Sequence, residues 1–506
     1  MPRVKKDVTS MRGALDFLDS KGLLLRVDKP VDINLEIAGI LKALDGGPAI
    51  LFENIKGFPG VRNVGDVVSN EDAVSAMFGV ANKKELRFKC LDAMKHPLPP
   101  RKVKEAPCQE VVITKGIDIM GTMPVIQHSA YDVGRIIGGG IIPTMEPLMP
   151  KGSNLAFKRI RPQGKNWCSI YILRASHLGN TVYNVHKGEK IPFTINVGIS
   201  PACVLVAATV FLHNIVPYES DEIGMAGALQ DTPVEVAKAV TVDAPVIANA
   251  EWVIEGYLTP EKVWESEEAE KAGVTRGAAP FFPEWTGYLG KASIGFKFQA
   301  TAITHRKDRP IFYTPLAHSI ECEVAADPFK EACFYEMAQN LWPGLVKDTN
   351  ILYGLKSSGG IVFQVGKRSR ADEAAVKNIL MDALMTSLVR VAIAVDEDVD
   401  IHNADDVFWA IATRANFENG IIKAPAGALG MSMFPAADAS RAKGGAFEIG
   451  GLAIDATMSI AAKELFVRAH YPSDQIDLGK WFTDAQIAKV RAIQSDYAKL
   501  LARCGG

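Results

Sequence analysis

The middle of the chain restricts the possible folds more than any other feature. Between about residues 110 and 315, short runs of β-forming residues alternate with Gly and Pro. The clearest predicted strands are residues 169–173, 193–197, 246–250 and 311–314. Closely spaced short strands of this kind are typical of a barrel or a strongly curved sheet. Within the same region we predict two helices, over residues 232–239 and 260–272, the second starting at a proline.

The regions on either side of this strand-rich middle predict α/β structure. Near the N-terminus, Ser10 is suited to cap a short helix, and an apolar strand over residues 23–27 follows it. In the last third, a strand over 361–365, a helix over 371–388 and a buried strand over 389–395 predict a βαβ unit. A Pro-rich and basic stretch at residues 97–107 marks the first linker.

The overall composition favours a soluble protein that acts on small molecules. The chain has 506 residues, and 48% of them are hydrophobic, which is enough for two or three domains. Lys plus Arg (56) nearly balances Asp plus Glu (58), so the charge gives no support for nucleic acid or an anionic membrane as a partner. No apolar run is long enough to cross a bilayer, and no signal peptide is evident. The seven cysteines are scattered, as in reduced intracellular proteins, so we expect a cytoplasmic location.

One carboxylate, Glu284, lies in a stretch of aromatic residues, prolines and glycines that runs from residue 278 to 290. A carboxyl group removed from water is disfavoured in its charged form, so it can hold a proton near neutral pH. The alternative is a glutamate on a loop with its carboxylate in solvent. If the surroundings are apolar, the stretch predicts a proton donor.

Three separate stretches resemble the UbiD family. They are Glu-Trp-Thr-Gly-Tyr at residues 284–288, Pro-Ala-Ile-Leu-Phe-Glu-Asn-Ile-Lys-Gly-Phe-Pro-Gly at 48–60, and a longer run at 395–414. Their order along the chain makes the resemblance more specific than any one of them alone. The resemblance implies reversible decarboxylation of unsaturated or aromatic acids on prenylated FMN, which a flavin prenyltransferase supplies. It also implies that Mn²⁺ or Mg²⁺, with a nearby K⁺, holds the cofactor phosphate.

The resemblance also implies a domain organisation within the α/β (α+β) class. We expect an N-terminal α/β region over residues 1–105, a split β-barrel that binds the cofactor over 106–320, and a C-terminal α/β domain over 321–506. A capping box at residues 483–486 begins a terminal amphipathic helix. This helix either covers the chain's own core or docks on a second subunit, and we predict a homo-oligomer, either a dimer or a hexamer.

Decarboxylation needs an electron sink, a positive group that orients the carboxylate, and an acid that protonates the carbon. The resemblance assigns the proton donor to Glu284 and the positive group to Arg174, which follows a predicted strand. This assignment aligns Ser169 with the Asn of the family's Asn-x-x-x-x-Arg motif. The alternative alignment starts the motif at Asn166, but five residues later it has Tyr171 instead of an arginine, so we prefer the alignment that ends at Arg174.

The resemblance further implies a metal site and a phosphate contact. Glu222, five residues before Gly227, matches the metal-ligand glutamate, and His186 is the nearest histidine candidate. Lys443, followed by two glycines, is the candidate phosphate contact. The alternatives are a solvated acidic surface, a structural or exposed histidine, and an ordinary turn.

One departure from the family pattern concerns the second catalytic glutamate, whose position holds Ala279. Another carboxylate such as Glu267 or Glu270 could replace it, the substrate could supply the polar group, or the chain could belong to a variant branch. Its sequence is similar to aryl carboxylase subunits of the phenylphosphate carboxylase type, so the predicted substrate is an aromatic acid or an aromatic acyl-CoA thioester. A non-catalytic scaffold that binds other carboxylase subunits is the competing interpretation.

Overall fold

The structure is a computed structural model, and it describes residues 7–132, 134–266, 270–271, 282–290, 292–386, 389–424, 450–469 and 471–504. The chain divides into two compact units, Met1–Thr457 and Met458–Gly506. Helices and sheets are mixed throughout the first unit, as the α/β prediction requires. The further division at residues 105 and 320 stays a prediction.

An eight-stranded sheet carries most of the candidate site, and all of its strand pairs are antiparallel. Its strands lie in the order Asn154–Phe157, Ile141–Thr144, Ile191–Val197, Trp252–Trp264, Ile294–His305, Trp167–Ile170 and Ile160–Pro162, with Val111–Ile113 paired to Ile294–His305. The two longest strands form its middle, and the buried side chains of Ile254, Phe298 and Ile303 show that the sheet covers an apolar core.

The connection between the two end strands shows that this sheet curves back on itself. Asn154–Phe157 and Ile160–Pro162 lie at opposite ends of the strand order, yet only Lys158 and Arg159 separate them in the chain. Three peptide steps reach at most about 11 Å, so the two edges of the sheet must lie close together. An antiparallel bridge between Ile137 and Ile160 makes a further link across the gap. The predicted barrel or strongly curved sheet is therefore confirmed.

Of the two helices predicted inside this region, the one over residues 232–239 is wrong, and the one over residues 260–272 is wrong in its first residues but helical at Glu270 and Lys271. Residues 235–238 form the strand Glu235–Lys238, which pairs with Pro245–Ile247 on one side and with Arg101–Lys102 on the other. Residues 260–264 belong to the long strand Trp252–Trp264. Pro260 is tolerated there because the pairing register shifts between Leu258 and Lys262, where no ladder hydrogen bond is required of it. Pairing with neighbouring strands has overridden the local helix signals.

A four-stranded sheet near the N-terminus brings a distant part of the chain to the site. Its strands lie in the order Leu24–Val27, Ala49–Phe52, Arg62–Gly65 and Ile311–Tyr313. The last strand is parallel to Arg62–Gly65 and ends at Tyr313, which lines the candidate active site. The preceding helix, Met11–Ser20, has the predicted cap, since the Ser10 side chain accepts a hydrogen bond from the Gly13 N–H at 3.1 Å.

A five-stranded sheet forms most of the last third of the first unit. Its order is Val346–Asn350, Gly360–Val365, Val391–Asp396, Leu452–Ala456 and Ile421–Lys423. Gly360–Val365 and Val391–Asp396 are parallel and are joined through the helix Arg370–Met385, which confirms the predicted βαβ order.

The described residues of the first unit contain further helices. They are Glu36–Ala43, Glu71–Met77, Lys83–Lys95, Ile119–Thr122, His177–Asn180, Pro201–Ala208, Glu222–Leu229, Ile320–Leu341, Lys356–Gly359 and Ala404–Arg414, with a π-helix at Thr181–Val185 and short 3₁₀ turns at Pro107–Gln109 and Tyr353–Leu355. Pro201–Ala208 and Ile320–Leu341 are almost wholly buried over much of their length. Within the described part of the chain, no helix combines the length and the apolar composition needed to cross a bilayer.

The second unit contains 3₁₀ turns at Ile460–Leu465, Ser473–Gln475 and Leu478–Lys480, followed by the long helix Asp484–Cys504. The predicted capping box is present, because the Gln486 side chain accepts from the Thr483 N–H at 2.9 Å and the Gln486 N–H donates to the Thr483 hydroxyl at 3.3 Å. Apolar side chains in this unit are unusually exposed, among them Val467, Tyr471, Trp481, Val490 and Ile493.

Candidate active site

Glu284 lies in a tight turn that holds its side chain in the protein interior. Pro283 and Leu289 form an isolated antiparallel bridge, and the Glu284 N–H donates to the Tyr288 carbonyl at 2.9 Å. Gly287 closes the turn with a φ of 84°, a conformation that favours glycine. Glu284 is only 7% exposed. The alternative of a solvated loop glutamate is therefore wrong.

The Glu284 carboxyl group faces a cavity of about 250 Å³. Its walls are mainly apolar and come from several distant segments: Ile136, Gly138, Phe157, Val204, Ala208, Phe282, Trp285, Pro315, Leu316, Ala317, Cys322 and Ala325. The polar groups at its surface belong to Lys158, Arg159, Tyr313, Glu284 and Glu321. A small, mostly apolar cavity with a few polar groups is the usual form of a site for a small organic ligand.

Arg159 connects Glu284 to a second buried carboxylate, Glu265. The Arg159 Nε and Nη2 atoms donate to the two carboxylate oxygens of Glu265 at 2.8 and 2.9 Å, and Nη1 donates to Glu284 Oε1. Glu265 is 1% exposed and also accepts from the Ser293 N–H at 2.5 Å. Paired hydrogen bonds of this kind fix the plane of a guanidinium group. Glu265 therefore sets the orientation of Arg159. The remaining guanidinium nitrogen, Nη1, points to Glu284.

The charges in this network do not cancel. Burial disfavours the charge on Arg159, but the two neighbouring carboxylates more than offset this effect and raise the pKa of Arg159 well above its ordinary value. With both carboxylates ionised, the group of Glu265, Arg159 and Glu284 carries one net negative charge. A single proton makes it neutral, so the network is suited to taking up and releasing one proton in an interior that disfavours net charge.

The predicted arginine, Arg174, is not the one that contacts Glu284. Its guanidinium group lies 4.3 Å from the centre of the Tyr183 ring and lines a different cavity, next to Lys262. Ser169, the predicted cofactor contact, lies in the strand Trp167–Ile170 and lines neither the Glu284 cavity nor the Glu222 cavity described below. The spacing Asn-x-x-x-x-Arg does occur, from Asn154 to Arg159, and that motif is the signal that sequence reasoning missed.

A second set of buried polar groups surrounds Glu222, at the start of the helix Glu222–Leu229. Glu222 Oε1 is 2.7 Å from His177 Nδ1, and Oε2 accepts from the Asn154 side-chain amide at 2.7 Å and from the Leu155 N–H at 2.9 Å. Glu222, His177 and Asn154 are all buried. Among the described residues, neither His177 Nε2 nor Asn154 Oδ1 has a hydrogen-bond partner although both are buried, which is costly unless a ligand satisfies them.

These three side chains line a second cavity of about 150 Å³. A carboxylate, an amide oxygen and an imidazole are ligands that suit Mn²⁺ or Mg²⁺. In the described part of the chain, no three side chains of His, Cys, Asp or Glu cluster in a way that could hold a metal ion, so this candidate set depends on the amide of Asn154. The two cavities share Phe157, Lys158 and Ala208 as lining residues, so one elongated ligand can contact both.

His186, the predicted metal ligand, lies elsewhere. Its Nδ1 is 2.8 Å from Glu189 Oε2 and its Nε2 is 3.0 Å from the Leu148 carbonyl, so both ring nitrogens are already engaged. The structure brings His177 to Glu222 instead, from the short helix His177–Asn180. The sequence pattern did not point to His177, because the short helix that carries it and the π-helix that follows are not evident in that pattern.

Three further predicted positions, Lys443, Ala279 and Glu267, lie outside the described residues. At Glu270, the backbone N–H donates to the Ser266 carbonyl at 3.1 Å. The carboxylate that shares Arg159 with Glu284 is Glu265, which sequence reasoning did not consider. Glu265 immediately follows the strand Trp252–Trp264, in a segment that was predicted to be helical.

Comparison with known protein families identifies the class. Family profiles described as the 3-octaprenyl-4-hydroxybenzoate carboxy-lyase N-terminal, Rift-related and C-terminal domains match residues 15–88, 101–318 and 324–456. These matches cover most of the chain. The protein belongs to the UbiD family and is a carboxy-lyase.

Individual relatives agree with this assignment. Gallate decarboxylase from Lactiplantibacillus plantarum is 30% identical over 411 residues, which is 76% of this chain and 81% of that protein. Apo 3,4-dihydroxybenzoic acid decarboxylase from Klebsiella pneumoniae has 27% identity and a TM-score of 0.81 over 94% of this chain and 100% of that chain. An evolved dimeric form of the UbiD-class enzyme HmfF from Pelotomaculum thermopropionicum, in complex with prFMN, has 26% identity and a TM-score of 0.79, with 94% and 100% coverage.

Proposed function

We propose that this carboxy-lyase decarboxylates an aromatic carboxylic acid reversibly and without oxidation, with prenylated FMN as its cofactor. The observation that carries the proposal is the contact of Arg159 with both Glu284 and Glu265 at the edge of an apolar cavity. The relatives support the substrate class, because the similar proteins include decarboxylases of gallate and of 3,4-dihydroxybenzoic acid. The bound prFMN of HmfF supports the cofactor.

The chain's own residues fit the cofactor at two adjoining places. Prenylated FMN, when bound, would supply the electron sink that amino-acid side chains lack. Asn154, His177 and Glu222 would hold a divalent metal at its phosphate, since buried atoms of Asn154 and His177 have no hydrogen-bond partner in the part of the chain that the structure describes. Mn²⁺, or Mg²⁺ in its place, suits these ligands, and the family resemblance supports K⁺ as a second ion. The ring system would occupy the Glu284 cavity, which adjoins the metal cavity.

In this proposal Arg159 orients the substrate carboxylate and Glu284 moves the proton. Arg159 is held by Glu265, so its charge is in place before the substrate binds, which avoids a reorganisation cost during the reaction. When the bond between the ring carbon and the carboxylate breaks, CO₂ departs and the electron pair stays with the organic fragment. Glu284 then donates a proton to that carbon, and Arg159 stabilises the glutamate anion that results. In the carboxylation direction Glu284 removes the same proton.

The competing interpretation of a non-catalytic scaffold rested on the missing glutamate at residue 279. Glu265 supplies a second carboxylate on Arg159, so that reason for the interpretation is removed. A carboxylase subunit of the phenylphosphate type and an acyl-CoA substrate are not favoured by any contact in the described residues.

We also propose a homo-oligomer. The second unit exposes Trp481, which is 75% exposed, and Ile493, which is 60% exposed, and apolar side chains of this size are usually covered in the working protein. The dimeric form of HmfF gives independent support. Light scattering at working concentration should report a multiple of 54.7 kDa, and a mass of one chain would contradict the proposal.

The test of function is an assay of the holoenzyme. The protein is produced together with a flavin prenyltransferase, Mn²⁺ and K⁺, and CO₂ release is followed with gallate and with 3,4-dihydroxybenzoate as substrates. We expect flavin absorbance and CO₂ release in the wild type, and a rate about 10²–10⁴ times lower in Glu284→Gln with flavin retained. Arg174→Gln is the matched control and should keep most of the activity. Colourless wild-type protein without CO₂ release would overturn the proposal.

A further inference from the structure

Lys158 occupies an unusual position between the two cavities. It is one of the two residues that join the end strands of the barrel, and the other is Arg159. Its side chain lines both the Glu284 cavity and the cavity of Asn154, His177 and Glu222. Its backbone N–H donates to the Gly140 carbonyl at 3.0 Å, which fixes the main chain at this point.

Among the described residues, the ammonium group of Lys158 makes no ion pair or hydrogen bond, whereas the neighbouring Arg159 pairs with two glutamates. Burial lowers the pKa of Lys158 to about 8, although Glu222 acts in the opposite direction from a distance. A partly buried positive charge without such a partner is unfavourable, and an anionic ligand would lower this cost.

We infer that Lys158 binds the phosphate group of the flavin cofactor and so provides a cation for that phosphate in addition to the metal. This inference rests on the proposed function. A flavin with its phosphate beside Glu222 and its ring beside Glu284 would extend through both cavities, and Lys158 lines both of them. An ammonium group is a compact point charge that can donate three hydrogen bonds to phosphate oxygens. Lys158 is therefore a cofactor-binding residue, distinct in role from the proton-transfer network that begins at Arg159.

The experiment compares FMN with riboflavin, which lacks the phosphate. Dissociation constants of both flavins are measured by fluorescence quenching at fixed Mn²⁺ and K⁺, without substrate. For Lys158→Met we expect FMN affinity to fall roughly ten- to a hundredfold, the usual effect of losing a charged hydrogen bond. Riboflavin affinity should stay the same, because it has no phosphate for Lys158 to bind.

Two control variants make the result specific. Lys158→Arg keeps the charge and should retain most of the preference for FMN over riboflavin. Lys262→Met removes a lysine from the separate cavity that Arg174 lines, and should change neither affinity. An equal loss of FMN and riboflavin in Lys158→Met would indicate a deformed site and would overturn the inference, as would unchanged FMN binding. A wild type that binds neither flavin would overturn the proposed function itself, and the inference with it.

Discussion

Gly290 makes room for the carboxyl group of Glu284. A Cβ atom at residue 290 would lie 2.6 Å from Glu284 Oε1 and 2.7 Å from its Cγ, both closer than non-bonded atoms can approach. The Gly290 N–H donates to the Phe282 carbonyl at 2.9 Å, so the main chain cannot easily move away. The position of the proposed proton donor therefore depends on the absence of a side chain six residues later.

Gly290→Ala should displace Glu284 while the protein still folds, because the atoms that clash belong to the end of a flexible side chain. A catalytic group moved by about 1 Å costs roughly a hundredfold in rate. We expect kcat to fall by that order with little change in thermal stability or in bound flavin. Gly39→Ala is the control, since a Cβ there meets nothing within 4 Å and the residue lies inside a helix. An unchanged kcat in Gly290→Ala would contradict the assigned position of Glu284.

Glu265→Gln should lower both stability and activity. The substitution removes the charge of Glu265 from Arg159, and it replaces one charge-assisted hydrogen bond with an unfavourable contact between two donors. We expect the free energy of unfolding in urea to fall by about 1–3 kcal/mol and kcat to fall with it. Glu261→Gln is the control, because its exposed ion pair with Lys297 should contribute less than about 1 kcal/mol. Equal effects of the two substitutions would show that the buried network has no special role.

Bound metal should depend on His177 and not on His186. His177→Gln removes an imidazole that contacts Glu222, whereas His186 is occupied by Glu189 and the Leu148 carbonyl. Manganese content, measured by elemental analysis after purification in Mn²⁺, should fall below half of the wild-type value in His177→Gln and stay near it in His186→Gln. The reverse pattern would restore the ligand that the sequence predicted.

A buried carboxyl pair next to the active site should make stability depend on pH. Burial, together with the charge of Glu321, raises the pKa of Asp66 to about 8, and burial raises the pKa of Glu321 to about 7. In the unfolded chain both groups titrate near pH 4. Between about pH 4 and pH 8 the folded state therefore binds more protons than the unfolded state. Stability contributed by these groups falls as the pH rises through this window and levels off above it.

Asp66→Asn tests this expectation because it removes one of the two titrating groups. Asparagine tolerates the backbone of residue 66, where φ is 58°. We expect the variant to match the wild type near pH 5 and to unfold at a higher temperature than the wild type at pH 8.5. A wild type whose melting temperature does not fall between pH 5 and pH 8.5 would show that the pair does not titrate in this range.

Features that depend on neighbouring residues were predictable from the sequence. The Ser10 cap, the capping box at Thr483 and the βαβ order of the last third are each determined by a few adjacent positions. The burial of Glu284 followed in the same way from the Pro, Gly and aromatic residues around it. Each of these signals acts over fewer than about six residues or through a simple alternation of elements.

The contacts of Glu284 with Arg159 and Glu265 depend on closure of the sheet, so no local pattern around Glu284 predicts them. Arg159 precedes Glu284 by 125 residues in the chain. Glu265 directly follows the strand Trp252–Trp264, whose last five residues were predicted to begin a helix. The sequence does carry a signal for Arg159, since the spacing from Asn154 to Arg159 matches the Asn-x-x-x-x-Arg motif, whereas the segment from Ser169 to Arg174 lacks the asparagine. The strand order adds that Arg159 lies between the two end strands of the sheet.

The dipeptide Lys158-Arg159 joins the first and last strands of the barrel, and this connection limits how the enzyme can be re-engineered. One added or deleted residue would either slip the pairing of an end strand, which reverses the facing of that strand's side chains, or displace Arg159 relative to Glu265. Termini relocated to this point by circular permutation would leave the barrel edges without a covalent tether. This loop, the shortest of the sheet, therefore tolerates the least change in length. A change of substrate preference is better sought in residues that line the Glu284 cavity, such as Phe282, Trp285 and Leu316.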